Sequence, residues 1–222
     1  MFKRYIISLF FLWITASHSS GLLAESSHPT RFSWLKANSR GNLELYGVEL
    51  KENGGGEFQF KKRNEEPIHL EITLRPSVIT TLFSLFSQSD FLNESKDFVS
   101  QRKVADMGMK TVRYETGSAK REVIYNYTED KGLQQISNFF ENLCQQERTL
   151  FEMDLALKYD RLGIPKKLDE LDQNLSDKRI VAPERFIQVL EKIYQDQSLM
   201  HLARKEAKNI LSKIQKMQEL SN

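Results

Sequence analysis

The chain has 222 residues, of which 40% are hydrophobic and 28% charged, so it has enough apolar side chains for a folded core and is not intrinsically disordered. Its 32 basic and 30 acidic side chains nearly balance, and removal of Lys3 and Arg4 leaves 30 of each. The basic run Lys61-Lys62-Arg63 is followed at once by Glu65-Glu66. Because phosphate recognition needs concentrated positive charge, this composition argues against binding of nucleic acid or anionic membrane surfaces.

The first 24 residues have the pattern of a secretory signal peptide. Lys3 and Arg4 precede an unbroken apolar run, Tyr5 to Ala16, and small and polar residues follow it. As a helix this run would be roughly 18 Å long, shorter than a hydrocarbon layer of about 30 Å. We therefore expect export to the periplasm or the exterior, cleavage after Ser19 or Ala24, and no stable transmembrane segment after processing. An uncleaved anchor or a helix of the mature fold are the alternatives.

A single cysteine, Cys144, limits how the mature chain is stabilised. One cysteine forms no internal disulfide, and roughly 200 mature residues are enough to fold by packing alone. This fits a bacterial envelope or secreted protein better than a small disulfide-rich extracellular domain.

We interpret residues 25–38 as a polar leader and residues 39–148 as an α+β domain. Apolar residues alternate from Leu43 to Leu50 with a phase slip near Gly47, which predicts a strand with a bulge. Asn53 to Gly56 is typical of a hairpin turn, and alternating apolar residues follow at Phe58 and Phe60 and from Ile68 to Leu74. Three antiparallel strands are predicted here.

The rest of this domain combines two helices and a second hairpin. Apolar residues recur at helical spacing from Val78 to Phe86 and from Leu133 to Leu143. Between them, strands are predicted around Val112 and Val123, joined by a turn at Thr116-Gly117-Ser118. The predicted fold class is α+β, an antiparallel sheet of about five strands with helices on one face.

From Leu150 onward the pattern stays helical, and we assign residues 149–222 to a helical domain of about four helices. Apolar stripes recur at helical spacing and are interrupted by Gly163-Ile164-Pro165 and by Pro183. Such stripes must be buried against each other or against the sheet.

No catalytic, cofactor-binding or metal-ligating residue is assigned from the sequence, and no cofactor is predicted. His69 and Glu71 share a strand face, but no third ligand is visible, so a solvent-facing pair is favoured. Gly54 to Gly56 precedes a strand and lacks the helix N-terminus of a phosphate-binding loop.

The other candidate residues also favour structural roles. Cys144 is near the end of its helix, where nothing lowers a thiol pKa, so it is interpreted as a packing residue, with cross-linking to another chain as the alternative. His201 is given no role. The segment with Asp169, Asp172, Asn174 and Asp177 lacks the glycine and closing glutamate of a calcium loop. Tyr114, Tyr125 and Tyr127 are expected in the core layer beneath a helix rather than on a binding surface.

Three functions remain open at this point. The favoured one is a non-catalytic module for protein interaction or assembly in the envelope, whose partner is another envelope or secreted protein. It requires an exposed apolar or aromatic patch of more than a few hundred Å². The alternatives are a small-ligand or lipid-binding protein with a dry cavity between sheet and helices, and a hydrolase with a dispersed site around His69 in a deep pocket.

Overall fold

A computed structural model describes residues 29–219, and the predicted signal peptide lies outside the described residues. The elements in chain order are β1 (Arg31–Ala37), β2 (Leu43–Lys51), β3 (Gly55–Lys62), β4 (Ile68–Thr73), α1 (Pro76–Gln88), β5 (Met109–Thr116), β6 (Ala119–Tyr125), α2 (Lys131–Tyr159), α3 (Ile164–Ser176), α4 (Ile187–Gln195) and α5 (His201–Glu219). Short 3-10 turns precede α3, at Arg161–Gly163, and α4, at Pro183–Phe186.

The strands form one antiparallel sheet in the order β4-β3-β2-β1-β5-β6. Helices α1 and α2 pack on one face, and the helical region follows in the chain. The predicted α+β fold class is therefore confirmed, with six strands where about five were expected.

The additional strand is β1, which lies within the segment that we interpreted as a polar leader over residues 25–38. That interpretation is wrong for residues 31–37. Phe32 and Trp34 are both 0% exposed, and Trp34 is paired with Val48 of β2 and Val112 of β5. Strand β1 is central to the sheet, although Arg31, Ser33 and Lys36 give it a polar composition.

Glycines fix the geometry of β2 and its turn. Gly54 has a φ of 85° in the turn to β3, as the predicted hairpin requires. The register shift lies between Leu43 and Leu45, not near Gly47 as predicted. At Gly47, a Cβ atom would lie 2.4 Å from the carbonyl oxygen of Trp34. Gly47 therefore permits close approach of β1 and β2 rather than a bulge.

Aromatic side chains fill the layer between the sheet and helices α1 and α2. Phe86 of α1 is central to this layer, with its ring 4.6 Å from that of Tyr114 and 5.4 Å from that of Phe32. Phe140 of α2 stacks on Trp34 at 6.4 Å. Burial of each such side chain contributes roughly 1.5–3 kcal/mol to folding, so this layer dominates the stability of the sheet region.

Helix α2 runs without interruption across the boundary that we placed between residues 148 and 149. It has 29 residues, about 43 Å at roughly 1.5 Å per residue. Its N-terminal half packs in the sheet core, and from Met153 it belongs to a second apolar cluster formed with α3, α4 and α5. Two helices predicted from the sequence are therefore one, and no linker separates the two regions.

A buried polar cluster joins the helical region to the sheet region. Glu147 of α2 is 2% exposed, and its carboxylate accepts hydrogen bonds of 2.7 Å from both Nε and Nη2 of Arg185. Arg185 also donates to the carbonyl oxygen of Thr73 in β4. The neighbouring Gln146 side chain accepts hydrogen bonds from the backbone N–H groups of Val181 and Ala182. These contacts fix the segment before α4 against α2.

The N-terminus of α2 provides a first testable prediction. Asp130 caps it by accepting from the backbone N–H of Leu133 at 2.8 Å, and Lys96 Nζ lies 3.0 Å from its other oxygen. Partial burial opposes ionisation, but these hydrogen bonds and the lysine charge outweigh it and lower the pKa of Asp130. We expect Asp130→Ala to cost about 1 kcal/mol of unfolding free energy, measured by urea denaturation at pH 6.

The pH dependence of this effect has a defined sign. Because the pKa of Asp130 is lower in the folded state, its ionised carboxylate stabilises the fold at pH values above the unfolded-state pKa of about 3.9. This contribution is lost as the pH falls through the folded-state pKa. The stability difference between the native chain and Asp130→Asn is therefore expected to shrink below about pH 4. A difference that stays constant from pH 6 to pH 3 would contradict this assignment.

Candidate functional site

Within residues 29–219, the face of the sheet opposite α1 and α2 is open to solvent, and we call it the uncovered sheet face. Successive side chains of a strand point to opposite faces, so the residues between the core positions lie here. Its central residues are Ser33, Leu35, Ala37, Leu45, Gly47, Glu49, Glu57, Gln59, His69, Glu71, Met109, Thr111, Arg113, Glu122 and Ile124.

One half of this face, on the β1–β5–β6 side, exposes large apolar side chains. Met109 of β5 is 46% exposed and Ile124 of β6 is 53% exposed. Met107, 55% exposed, precedes β5 and is held by a 2.9 Å hydrogen bond from its N–H to Asn126 Oδ1. We define the apolar patch as the half-buried Leu35 and Leu45 and the exposed Ala37, Met109 and Ile124 of the strands, together with the exposed Met107 just before β5. Grouped exposed apolar residues of this kind mark interaction surfaces more often than single ones do.

The other half of the face carries a row of three carboxylates. In the register of the sheet, Glu57 lies directly opposite Glu49 on one side and Glu71 on the other. Directly opposed like charges destabilise a sheet. His69 Nδ1 lies 2.7 Å from Glu57 Oε1, and Arg31 lies 3.9 Å from Glu49, whereas Glu71 has no ion-pair partner among residues 29–219. The row borders an open trough of about 560 Å³.

The structure places His69 and Glu71 on one strand face, as the sequence predicts, but it does not pair them with each other. The partner of His69 is Glu57 on the neighbouring strand, and the His69 side chain is 47% exposed. A hydrolase site around His69 requires a deep pocket with a second ionisable group of shifted pKa. His69 lies on an open surface, so the geometry gives that hypothesis no support.

Cys144 and two of the tyrosines lie in the core. Cys144 is 2% exposed, and burial raises its thiol pKa, so the unreactive thiol form dominates at neutral pH. Tyr114 and Tyr125 point toward α1 and α2. Burial raises the pKa of Tyr125 to about 12, and its hydroxyl hydrogen-bonds to Ser137. Tyr127 follows β6 and is half-buried.

A cleft of about 520 Å³ lies between β2 and the helices. Tyr46 and Cys144 contribute to its wall, but Glu141, Arg148 and Arg179 also line it. A lipid or apolar ligand needs a dry apolar lining. The charged lining of this cleft does not provide one.

Two of the aspartates around α3 are paired with neighbouring cations. Asp172 pairs with Lys213 of α5, and Asp177, just after α3, lies 3.1 Å from Arg179. Within residues 29–219, no group of three or more His, Cys, Asp or Glu side chains is arranged to hold a metal ion. His201 is exposed at the first residue of α5.

Sequence reasoning did not identify the residues of the apolar patch. The inward-facing Val112, Tyr114 and Val123 mark the two strands in the sequence, whereas the alternate positions face the other side of the sheet. Met109, Thr111 and Ile124 occupy those positions, and apolar residues on both faces of a hairpin are a usable signal that the outer face is also in contact with something.

Across the range from Pro29 to Glu219, none of the helices combines the length and the apolar character needed to cross a membrane. No model of a known protein family matches this sequence, and no curated protein matches it.

Proposed function

We propose that this chain is an exported, non-catalytic module for protein interaction or assembly, acting in the periplasm or outside the cell. The observation that carries the proposal is the apolar patch on the uncovered sheet face. The N-terminal pattern of Lys3, Arg4 and the apolar run to Ala16 supports export. The partner is another envelope or secreted protein.

The chemistry of the uncovered sheet face indicates what the partner presents. Met107 and Met109 are flexible and polarisable, so they adapt to an apolar partner surface, while Ile124 offers a rigid contact. The acidic row formed by Glu49, Glu57 and Glu71 orients a partner that carries basic residues beside its apolar centre. The complementary surface is thus apolar with a basic margin.

The test places a photo-crosslinking residue at Ile124 and, in a second strain, at Leu202 on α5, which is 66% exposed and far from the sheet in sequence. We expect a defined crosslinked adduct at position 124 and none at 202. Met109→Glu is then expected to weaken binding of the identified partner by at least about 10-fold, because burying an unpaired charge in an apolar contact costs more than about 1.4 kcal/mol.

Leu202→Glu is the matched control, since it changes another exposed apolar residue outside the apolar patch and is expected to leave binding unchanged. Equal crosslinking at positions 124 and 202, or equal binding by both glutamate variants, would refute the role of the apolar patch. Cell fractionation tests export separately: the intact precursor in the cytosol would contradict it.

A further inference from the structure

Strand β4 ends the sheet, and part of its backbone is unpaired. It pairs with β3 on one side, and no strand follows it in the sheet order of residues 29–219. Leu74 N donates to Gly54 O at 2.9 Å, so Leu74 and every second residue before it direct their backbone groups toward β3. In an antiparallel pair, the N–H and C=O groups of every second residue point away from the partner strand. Those of His69 and Glu71 therefore face the free edge.

Thr73 is the third residue of β4 whose carbonyl oxygen faces the free edge, and this oxygen accepts a hydrogen bond. Thr73 O accepts from Arg185 Nη1 at 3.3 Å, so one outward group of β4 already has a partner from another element. The outward groups of His69 and Glu71 have none among the described residues. They form an unoccupied template of two residues, one on each side of position 70.

The two faces beside this edge differ in chemistry. On the helix side, Ile68 and Leu70 pack against the sheet core but stay half-buried, so their outer surfaces lack apolar neighbours. On the uncovered sheet face, Glu71 is exposed, has no ion-pair partner in the described part of the chain and lies opposite Glu57. An added strand would therefore meet apolar side chains on one face and carboxylates on the other.

The opposite edge of the sheet, β6, is protected against the addition of another strand, whereas β4 is not. In β6, the inward-pointing Arg121 donates to the carbonyl oxygens of Phe91 and Lys96, and Lys120 pairs with Glu115. Inward-pointing charges and edge lysines are devices that block strand addition. Strand β4, with the sequence IHLEIT, contains no lysine, arginine or proline.

We propose that the free edge of β4 binds an extended segment of a partner protein as a seventh strand, and that this segment alternates apolar and basic side chains. The apolar side chains cover Ile68 and Leu70, and the basic ones neutralise Glu71 and Glu57. Backbone hydrogen bonds provide affinity, and the alternation provides specificity. This site lies apart from the apolar patch and shares only Glu57 and Glu71 with the acidic row, so peptide binding at β4 is tested independently of partner binding at the apolar patch.

The probe is a synthetic seven-residue peptide, acetyl-Lys-Val-Lys-Ile-Lys-Val-Lys-amide, with a fluorescent label at one end. Binding is measured by fluorescence anisotropy at low salt. Two peptides serve as controls: one has the same composition with the three apolar residues adjacent, and the other has glutamate in place of lysine. We expect only the alternating basic peptide to bind, and its binding to weaken as salt is added.

Amide hydrogen exchange locates the bound peptide on the chain. The amides of His69 and Glu71 are expected to gain protection, while that of Ile124 stays unchanged. Peptides N-methylated at alternate positions test strand pairing directly: one of the two alternate sets removes the bonds to β4 and abolishes binding, and the other set leaves binding intact.

A variant pair tests the charge contribution. Glu71→Gln is expected to weaken peptide binding about 2- to 5-fold, since exposed ion pairs contribute modestly. Glu94→Gln is the matched control, because Glu94 is also exposed and has no ion-pair partner among residues 29–219. Binding of the scrambled peptide with equal affinity, tolerance of both N-methylated sets, or protection confined to the apolar patch would each overturn the proposal.

Discussion

Replacement of Glu147 by alanine is expected to lower the free energy of unfolding by about 3–5 kcal/mol. Glu147 is 2% exposed, and its two oxygens bind Nε and Nη2 of Arg185, whose side chain is 21% exposed. Removal of the carboxylate leaves the partly buried guanidinium with a hydrogen bond only to the carbonyl oxygen of Thr73 among the side-chain contacts of residues 29–219. Urea denaturation followed by the fluorescence of Trp34, the one tryptophan after the predicted signal peptide, measures the loss.

Further variants separate the cost of breaking the Glu147–Arg185 ion pair from the net contribution of that ion pair to the free energy of unfolding. Replacing both residues, as Glu147→Leu with Arg185→Met, is expected to recover most of the loss, because a well-packed apolar pair avoids the desolvation of two charges. Glu152→Ala, on the same helix but with a side chain that is 46% exposed, is expected to cost no more than about 1 kcal/mol. Equal losses for Glu147→Ala and Glu152→Ala would show that the buried pair has no special role.

Periodicity predicted the elements that bury a regular apolar face. The strands around Val112 and Val123 and the α3 stripe of Leu168, Leu171 and Leu175 are present because their inward residues alternate or recur as the geometry requires. Strand β1 was missed because only Phe32 and Trp34 of its seven residues are fully buried, and the polar residues around them, Arg31, Ser33 and Lys36, resemble a leader. Its central position comes from pairing with two distant strands, which local sequence does not encode.

The length of α2 was missed for a different reason. Its apolar stripe changes partner along the helix, from the sheet core to the cluster that begins at Met153. A change of partner shifts the stripe, and the shift looks like the end of one helix and the start of another. Glu147, which joins the two regions, lies at this change and looks in the sequence like an ordinary solvent-facing residue.

The candidate surfaces depend on information that only the assembled sheet contains. Alternation correctly placed His69 and Glu71 on one face, but the partner of His69 is Glu57, twelve positions earlier in the chain. The apolar patch likewise exists only because α1 and α2 both pack on the other face. Both surfaces follow from strand register and helix placement, which are long-range properties.

Deletion of residues 29–38 is expected to abolish cooperative folding, although these residues belong to the segment that we interpreted from the sequence as a polar leader. Strand β1 lies between β2 and β5, so its loss divides the sheet into a β2–β3–β4 part and a β5–β6 part. It also removes Trp34, which is 0% exposed, stacks on Phe140 at 6.4 Å and lies 5.6 Å from the ring of Tyr46. Circular dichroism during urea denaturation is expected to show a gradual change without a sigmoidal transition.

Point variants keep this prediction testable if the shortened chain aggregates. Trp34→Ala is expected to cost about 3–5 kcal/mol, because it leaves a large cavity in the aromatic layer. Ser33→Ala, the neighbouring residue on the uncovered sheet face, is expected to cost less than about 0.5 kcal/mol. A chain that begins at Pro29 should unfold cooperatively, whereas cooperative unfolding of a chain that begins at Ser39 would show that the sheet closes without β1. That result would also remove the basis for the uncovered sheet face as a single surface, because β1 connects its apolar and acidic halves.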